Sequence, residues 1–185
     1  MLGVTLCASS SARHFWDHVD EASALEDGSS VRKLGYRPHL TLTRYSMIEP
    51  SVLQKGMEVF EGEAAISLNF ARVDFFDIEP LVLWLAPRRD ERLLDLHRRL
   101  HAALEPEAPL CDPHYAPEQW KPHLTVATAI PAAKRSDALK LISRPLDAFE
   151  LTFDRVDCVS WPPVKVLSTL ALVGGQAAVD ASRAR

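Results

Sequence analysis

Pro38-His39-Leu40-Thr41 recurs in this chain as Pro122-His123-Leu124-Thr125, an offset of 84, with a basic residue, Arg37 or Lys121, in front of each copy. The duplication extends beyond the tetrapeptide. Leu68-Asn69-Phe70-Ala71-Arg72-Val73-Asp74 matches Leu151-Thr152-Phe153-Asp154-Arg155-Val156-Asp157 at an offset of 83. Pro80 and Pro163 align at that same offset, each followed by an apolar strand pattern. Two matched segments at nearly one offset mark an internal repeat. The reading is an α+β chain of two pseudo-symmetric lobes. Each lobe carries an antiparallel sheet and helices, and the two lie about a pseudo-two-fold axis with a cleft between them.

Side chains alternate in direction along a strand. His39, Thr41 and Thr43 therefore share one face, and Leu40 and Leu42 point into a core. The second copy repeats this with His123 and Thr125 against Leu124 and Val126. Each lobe then offers an imidazole and, about 7 Å further along the strand, a hydroxyl. Thr43 has no hydroxyl counterpart, because Ala127 stands in its place.

The remaining elements follow from periodicity. Strands are expected at 2–8, 38–45, 64–75, 81–86, 122–128, 149–159 and 164–173. Helices are expected at 12–26, 50–60, 90–104 and 134–142, the third carrying Leu93, Leu96, Leu100 and Leu104 in register. Ser46 and Glu49 have the spacing of a capping box, and Pro50 suits a first helical turn. Residues 105–121 hold four prolines and little periodicity, as a long functional loop does. Residues 1–173 are expected to form one two-lobed domain, and 174–185 a frayed tail.

Composition bounds the function. Of 185 residues, 47% are apolar and 25% charged, as in an ordinary globular chain. The formal net charge of -4 does not suggest a long basic groove for nucleic acid, and favours a small anion or a short RNA end in a local basic pocket. Cys7, Cys111 and Cys158 lack CxxC spacing and read as free thiols in a reducing, cytoplasmic setting. No run approaches the roughly 20 apolar residues of a membrane helix.

Two imidazoles and two hydroxyls at one cleft suit phosphoryl transfer without a metal. One histidine begins neutral as general base and the other protonated as general acid. The threonines donate to non-bridging phosphate oxygens. His-Leu-Thr-Leu at 39–42 and His-Leu-Thr-Val at 123–126 resemble the two HxTx motifs of the two-histidine phosphoesterase superfamily, which includes 2′-5′ RNA ligase-like proteins and cyclic nucleotide phosphodiesterases. The resemblance covers most of the chain, including Leu96-His97-Arg98-Arg99-Leu100. Residues 28–37 depart from it, being short and lacking a Pro-rich approach. It implies a bilobal α+β fold with a water-filled cleft, the His and Thr roles above, and a 2′,3′-cyclic phosphate or 2′-5′ linkage as substrate. The expected protein is a monomeric, cofactor-free phosphodiesterase acting on small nucleotides or RNA ends. The alternatives are 2′-5′ RNA ligation by the same groups, or a non-catalytic module that binds nucleotides or RNA ends.

Outside the motifs, Phe76 and Trp161 in equivalent loops, and Tyr115 in the long loop, are candidates to stack on a base or ribose, or else ordinary core aromatics. His14/His18 and His97/His101 have a helical i,i+4 spacing that can hold a metal, but lack an HExxH pattern and read as packing at the lobe boundary. Asp74 and Asp157, related by the repeat, are expected to end strands or cap turns.

Overall fold

In the computed structural model, residues 1–8 and 11–174 are described. The expected frayed tail, from residue 175 on, lies outside them. The strands are β1 (Leu2–Ala8), β2 (His39–Tyr45), β3 (Ile66–Phe76), β4 (Leu81–Pro87), β5 (Leu124–Ile130), β6 (Phe149–Ser160) and β7 (Lys165–Ala171). The helices are α1 (Arg13–Ser23), α2 (Ser30–Lys33), α3 (Pro50–Gly56), α4 (Glu91–Ala103) and α5 (Arg135–Ile142).

Local chemistry accounts for the helix boundaries. Asp90 caps α4 by accepting from the Leu93 N–H at 2.7 Å, and Leu93, Leu96, His97 and Leu100 form its buried stripe. Pro50 opens α3, but its N-cap is Glu49 without a side-chain bond, so the Ser46–Glu49 capping box does not form. The helix expected through 60 tightens after Gly56 into a 3₁₀ turn at Met57–Phe60. Between α1 and β2 lies the short helix α2, capped by Ser29, whose side chain accepts from the Arg32 N–H. The stretch 105–121 holds two 3₁₀ segments, Glu105–Leu110 and Pro113–Tyr115.

The strands form one antiparallel sheet in the order β2-β1-β6-β3-β4-β5, with β7 also paired to β6. At its centre Leu68 pairs with Leu151, Ile66 with Phe153 and Phe70 with Phe149. Leu68 and Leu151 are repeat equivalents, so the pseudo-two-fold axis passes between them. The lobes are not the two halves of the sequence. β3, from the first copy, pairs with β4, which leads to the second motif; β6, from the second copy, pairs with β1, beside the first. Each lobe thus takes a strand from the other copy. The symmetry extends to an irregularity: Thr5 pairs with Thr41 after a register shift at Val4/Thr5, and Trp84 pairs with Thr125 after one at Leu83/Trp84.

β2 and β5 lie at opposite ends of this order, yet Cα atoms of the two strands approach within 8 Å. The sheet curls until its ends meet. Each end is covered by groups from the other half of the chain, which protects it as an edge. On β2, Trp120 Nε1–H donates to the Thr41 carbonyl at 3.0 Å and His97 Nε2–H to the Leu42 carbonyl at 3.0 Å. On β5, one carboxylate oxygen of Glu26 accepts from the N–H groups of Thr128 at 2.9 Å and Ala129 at 2.7 Å.

Candidate active site

The motif strands keep the alternation their sequences require. Leu40, Leu42, Leu124 and Val126 are buried, while His39, Thr41, His123 and Thr125 are half-exposed. His39 and Thr125, one from each motif, line a single cavity with Tyr36, Arg37 and Thr128. The Thr41 side chain lies beside the phenol of Tyr115.

Both histidines are anchored in the same way. His39 Nδ1 lies 2.9 Å from the Arg37 carbonyl, and His123 Nδ1 lies 2.7 Å from the Lys121 carbonyl. A carbonyl only accepts, so Nδ1 carries the proton in each ring and Nε2 is left as the basic nitrogen. Desolvation holds both pKa values below the ordinary imidazole range, while the two carbonyl contacts act in the opposite sense. The charge of His123 further lowers His39, and Asp157 raises it. Two imidazoles that sense one another, each presenting Nε2, can exchange protons with a group held between them.

The surroundings of the two rings differ. Near His39 lies a buried polar network. Tyr36, its ring 4.9 Å from that of His39, donates to Asp157 Oδ2 at 2.7 Å. The Tyr36 hydroxyl is also within 2.8 Å of Thr5 Oγ1 and 3.0 Å of Cys7 Sγ. Thr169 donates to Asp157 Oδ1 at 2.7 Å. Burial, with the Asp157 charge, pushes the Cys7 thiol up to about 12 and raises the Tyr36 phenol as well. Beside His123 the wall is aromatic: Phe76 meets its ring edge-on at 5.0 Å and Trp84 at 5.9 Å.

Of the candidate stacking residues, Phe76 is thus against His123 and Tyr115 against Thr41. Arg44 lies 5.4 Å from the Tyr115 ring centre. Trp161 is elsewhere. It lies over Gly3, at the other end of β1 from Cys7, the residue paired with His39. Four residues of strand separate the two points, about 13 Å. The sequence equivalence of the Phe76 and Trp161 loops does not carry over, because the register puts Val159, not Trp161, at the position of Phe76. Asp157 and Asp74 do not end strands. Both lie within β6 and β3, Asp157 buried in the network and Asp74 paired to Arg72 at 3.0 Å.

His97 is buried and stacked on Trp120 at 3.8 Å, with desolvation driving its pKa down to about 3. His14 and His18 both pack on Phe149, each ring 5.6 Å away. Sequence reasoning missed Tyr36, Asp157 and Glu26. Tyr36, three residues before His39, and Asp157, a repeat-matched acid inside an apolar strand, were the available signals.

Known structures share this fold. The crystal structure of TT0787 of Thermus thermophilus matches with a TM-score of 0.62 at 20% identity, over 94% of this chain and 98% of that one. Escherichia coli LigT complexed with 3′-AMP matches with a TM-score of 0.58 at 14% identity, over 93% and 96%. The crystal structure of a phosphoesterase matches with a TM-score of 0.56 at 16% identity, over 92% and 97%. At these identities the likeness is one of fold. Comparison with curated proteins gives no match. The family model of the 2′-5′ RNA ligase superfamily matches residues 11–163, most of the chain and both motifs, and the chain therefore belongs to that superfamily of phosphoesterases and ligases.

Proposed function

We propose that the protein is a metal-independent phosphodiesterase that opens 2′,3′-cyclic phosphates on nucleotides or RNA ends. His39 and His123 act as the acid–base pair, and Thr41 and Thr125 hold the non-bridging oxygens. The observation that carries this reading is the matched Nδ1 anchoring, which leaves Nε2 of both rings available to one substrate. One Nε2 takes a proton from water as it attacks phosphorus. The other protonates the ribose oxygen that leaves. The threonine hydroxyls meet the charge that builds on the phosphoryl oxygens. Phe76 and Tyr115 are proposed to border the nucleoside, and Trp161 to act only at the far end of the cleft.

Superfamily membership supports this chemistry, as do LigT crystals holding 3′-AMP, ATP and NADP+. No helix among the described residues is long and apolar enough to cross a membrane. We take 1–173 as one two-lobed domain, monomeric, and the three free thiols as suited to the cytoplasm. The test is incubation, with chelator present, with 2′,3′-cyclic nucleotides and with 2′-5′-linked oligonucleotides. Cyclic phosphate opening should fall about 10²- to 10⁴-fold in His39→Ala and in His123→Ala. Turnover that survives both substitutions overturns the mechanism. Turnover of the 2′-5′ linkage alone points to the ligase reaction, and binding without turnover to a nucleotide-binding module.

A further inference from the structure

A larger basin adjoins the cavity that holds His39 and Thr125, and the two share Tyr36 and Arg37 in their walls. Three guanidiniums line the basin, those of Arg32, Arg37 and Arg155. Among the described residues the only carboxylate lining it is Asp157, which is buried, its two oxygens engaged by Tyr36 and Thr169. The basin thus sets three guanidiniums directly beside the cleft, two of them paired to carboxylates outside its lining.

The three arginines are not equivalent. Arg32 is held by Asp20 through two bonds of 2.6 and 2.7 Å, and its guanidinium lies 4.7 Å from the Trp16 ring centre. Arg155 is held by Asp154 at 3.1 Å. Arg37 is half-buried and has no carboxylate partner among the described residues. A partly desolvated cation without a counter-charge is costly unless a ligand supplies one. Arg37 is also two residues from His39, on the chain that forms the wall shared by both cavities. A guanidinium is the side chain best matched to the planar, two-pronged recognition of a phosphate.

We infer that this basin holds a second phosphate of the substrate, one ribose away from the phosphate between the histidines, with Arg37 as its principal contact. The preferred substrate is then a nucleotide that carries a 5′-phosphate as well as the reacting phosphate, and not a nucleoside cyclic phosphate alone. This rests on reading the cleft as the seat of phosphodiester chemistry.

The test is a binding measurement, which does not depend on turnover. Adenosine 3′-monophosphate and adenosine 3′,5′-bisphosphate are titrated calorimetrically into the full chain and into Arg37→Ala, with folding checked by thermal melting. The 5′-phosphate should tighten binding to the unaltered chain at least about tenfold, the worth of one charge-assisted contact. In Arg37→Ala the ratio of the two affinities should fall to about one. Arg155→Gln, whose side chain lines the same basin, should reduce that ratio as well. Equal affinity of the two nucleotides for the unaltered chain overturns the inference. So does equal weakening of both by Arg37→Ala, since that would put Arg37 on the reacting phosphate. Loss of the cyclic phosphate activity with the affinity ratio intact would sink the catalytic reading and leave this site standing.

Discussion

Tyr36 donates its phenolic hydrogen to Asp157 at 2.7 Å, while its ring packs 4.9 Å from that of His39. Asp74, the repeat mate of Asp157, is instead paired to Arg72, and His123 has aromatic neighbours. The two motifs are alike in their anchoring bonds and unlike in their electrostatic background. Asp157→Asn should therefore lower the titration midpoint of His39 and leave that of His123 in place. The charged and titratable neighbours that remain around His39 are Arg37, Cys7, Tyr36 and His123. Histidine NMR titrations of the two proteins check this, and an unmoved His39 would disprove the asymmetry.

Acid should destabilise the fold through His97. Its folded pKa, about 3, lies well below the ordinary imidazole value because the ring is buried against Trp120. The unfolded chain therefore binds the proton first as pH falls. The stability His97 confers is complete above about pH 6.5 and is lost progressively below it, by of order 1 kcal/mol per pH unit. Urea unfolding at pH 7.5 and pH 5 should show this slope, to which His18, His39, His101 and His123 add because desolvation lowers them too, and His97→Leu should lessen it.

Glu26 fastens the loop after α1 to the end strand β5. Its Oε1 takes the Thr128 and Ala129 N–H groups and the Ser30 hydroxyl, and its Oε2 takes the Ser30 N–H. Glu26→Ala removes a charged acceptor from two exposed N–H groups of β5, and the Thr128 N–H keeps the Ser30 hydroxyl oxygen at 2.9 Å. A loss of about 1.5–3 kcal/mol in denaturant unfolding, the worth of a hydrogen bond to a charged group, is expected. Hydrogen exchange should speed up at Thr128 and Ala129 before it does so in β1.

Gly3 lets β1 pass close to two neighbours. A Cβ there would stand 2.3 Å from the Thr43 carbonyl oxygen and 2.8 Å from the Trp161 ring. The carbonyl belongs to the paired strand and cannot retreat without breaking the register. Gly3→Ala should cost about 1–3 kcal/mol of overpacking, visible as a lowered melting temperature. Trp161→Ala relieves only the ring contact and should not restore it.

Much of the secondary structure was legible because it rests on local periodicity. Leu93, Leu96 and Leu100 mark α4 by themselves, and the alternation through Leu40–Leu42 and Leu124–Val126 predicts which residues each motif strand exposes. The tightening after Gly56 and the absent Ser46 cap were not legible, since a helix terminus depends on what packs against it. Trp161 lies over Gly3 and apart from Phe76 because register, not position along the chain, decides which residues share a face.

What the sequence determined by itself was the duplication: two His-x-Thr strands with inward leucines, and a matched Leu-x-Phe-x-Arg-Val-Asp segment behind each. What only the tertiary structure decided was how the copies combine. β3 and β6 pair with each other at Leu68 and Leu151 and then join the opposite lobe, and the sheet curls until β2 meets β5. The bond from Tyr36 to Asp157 spans 121 residues and those from Glu26 to β5 span more than 100. Periodicity reports which way a side chain points along its own strand. Strand exchange and the network beside His39 are pairings between distant segments, settled by which buried donors, acceptors and apolar faces can be satisfied together.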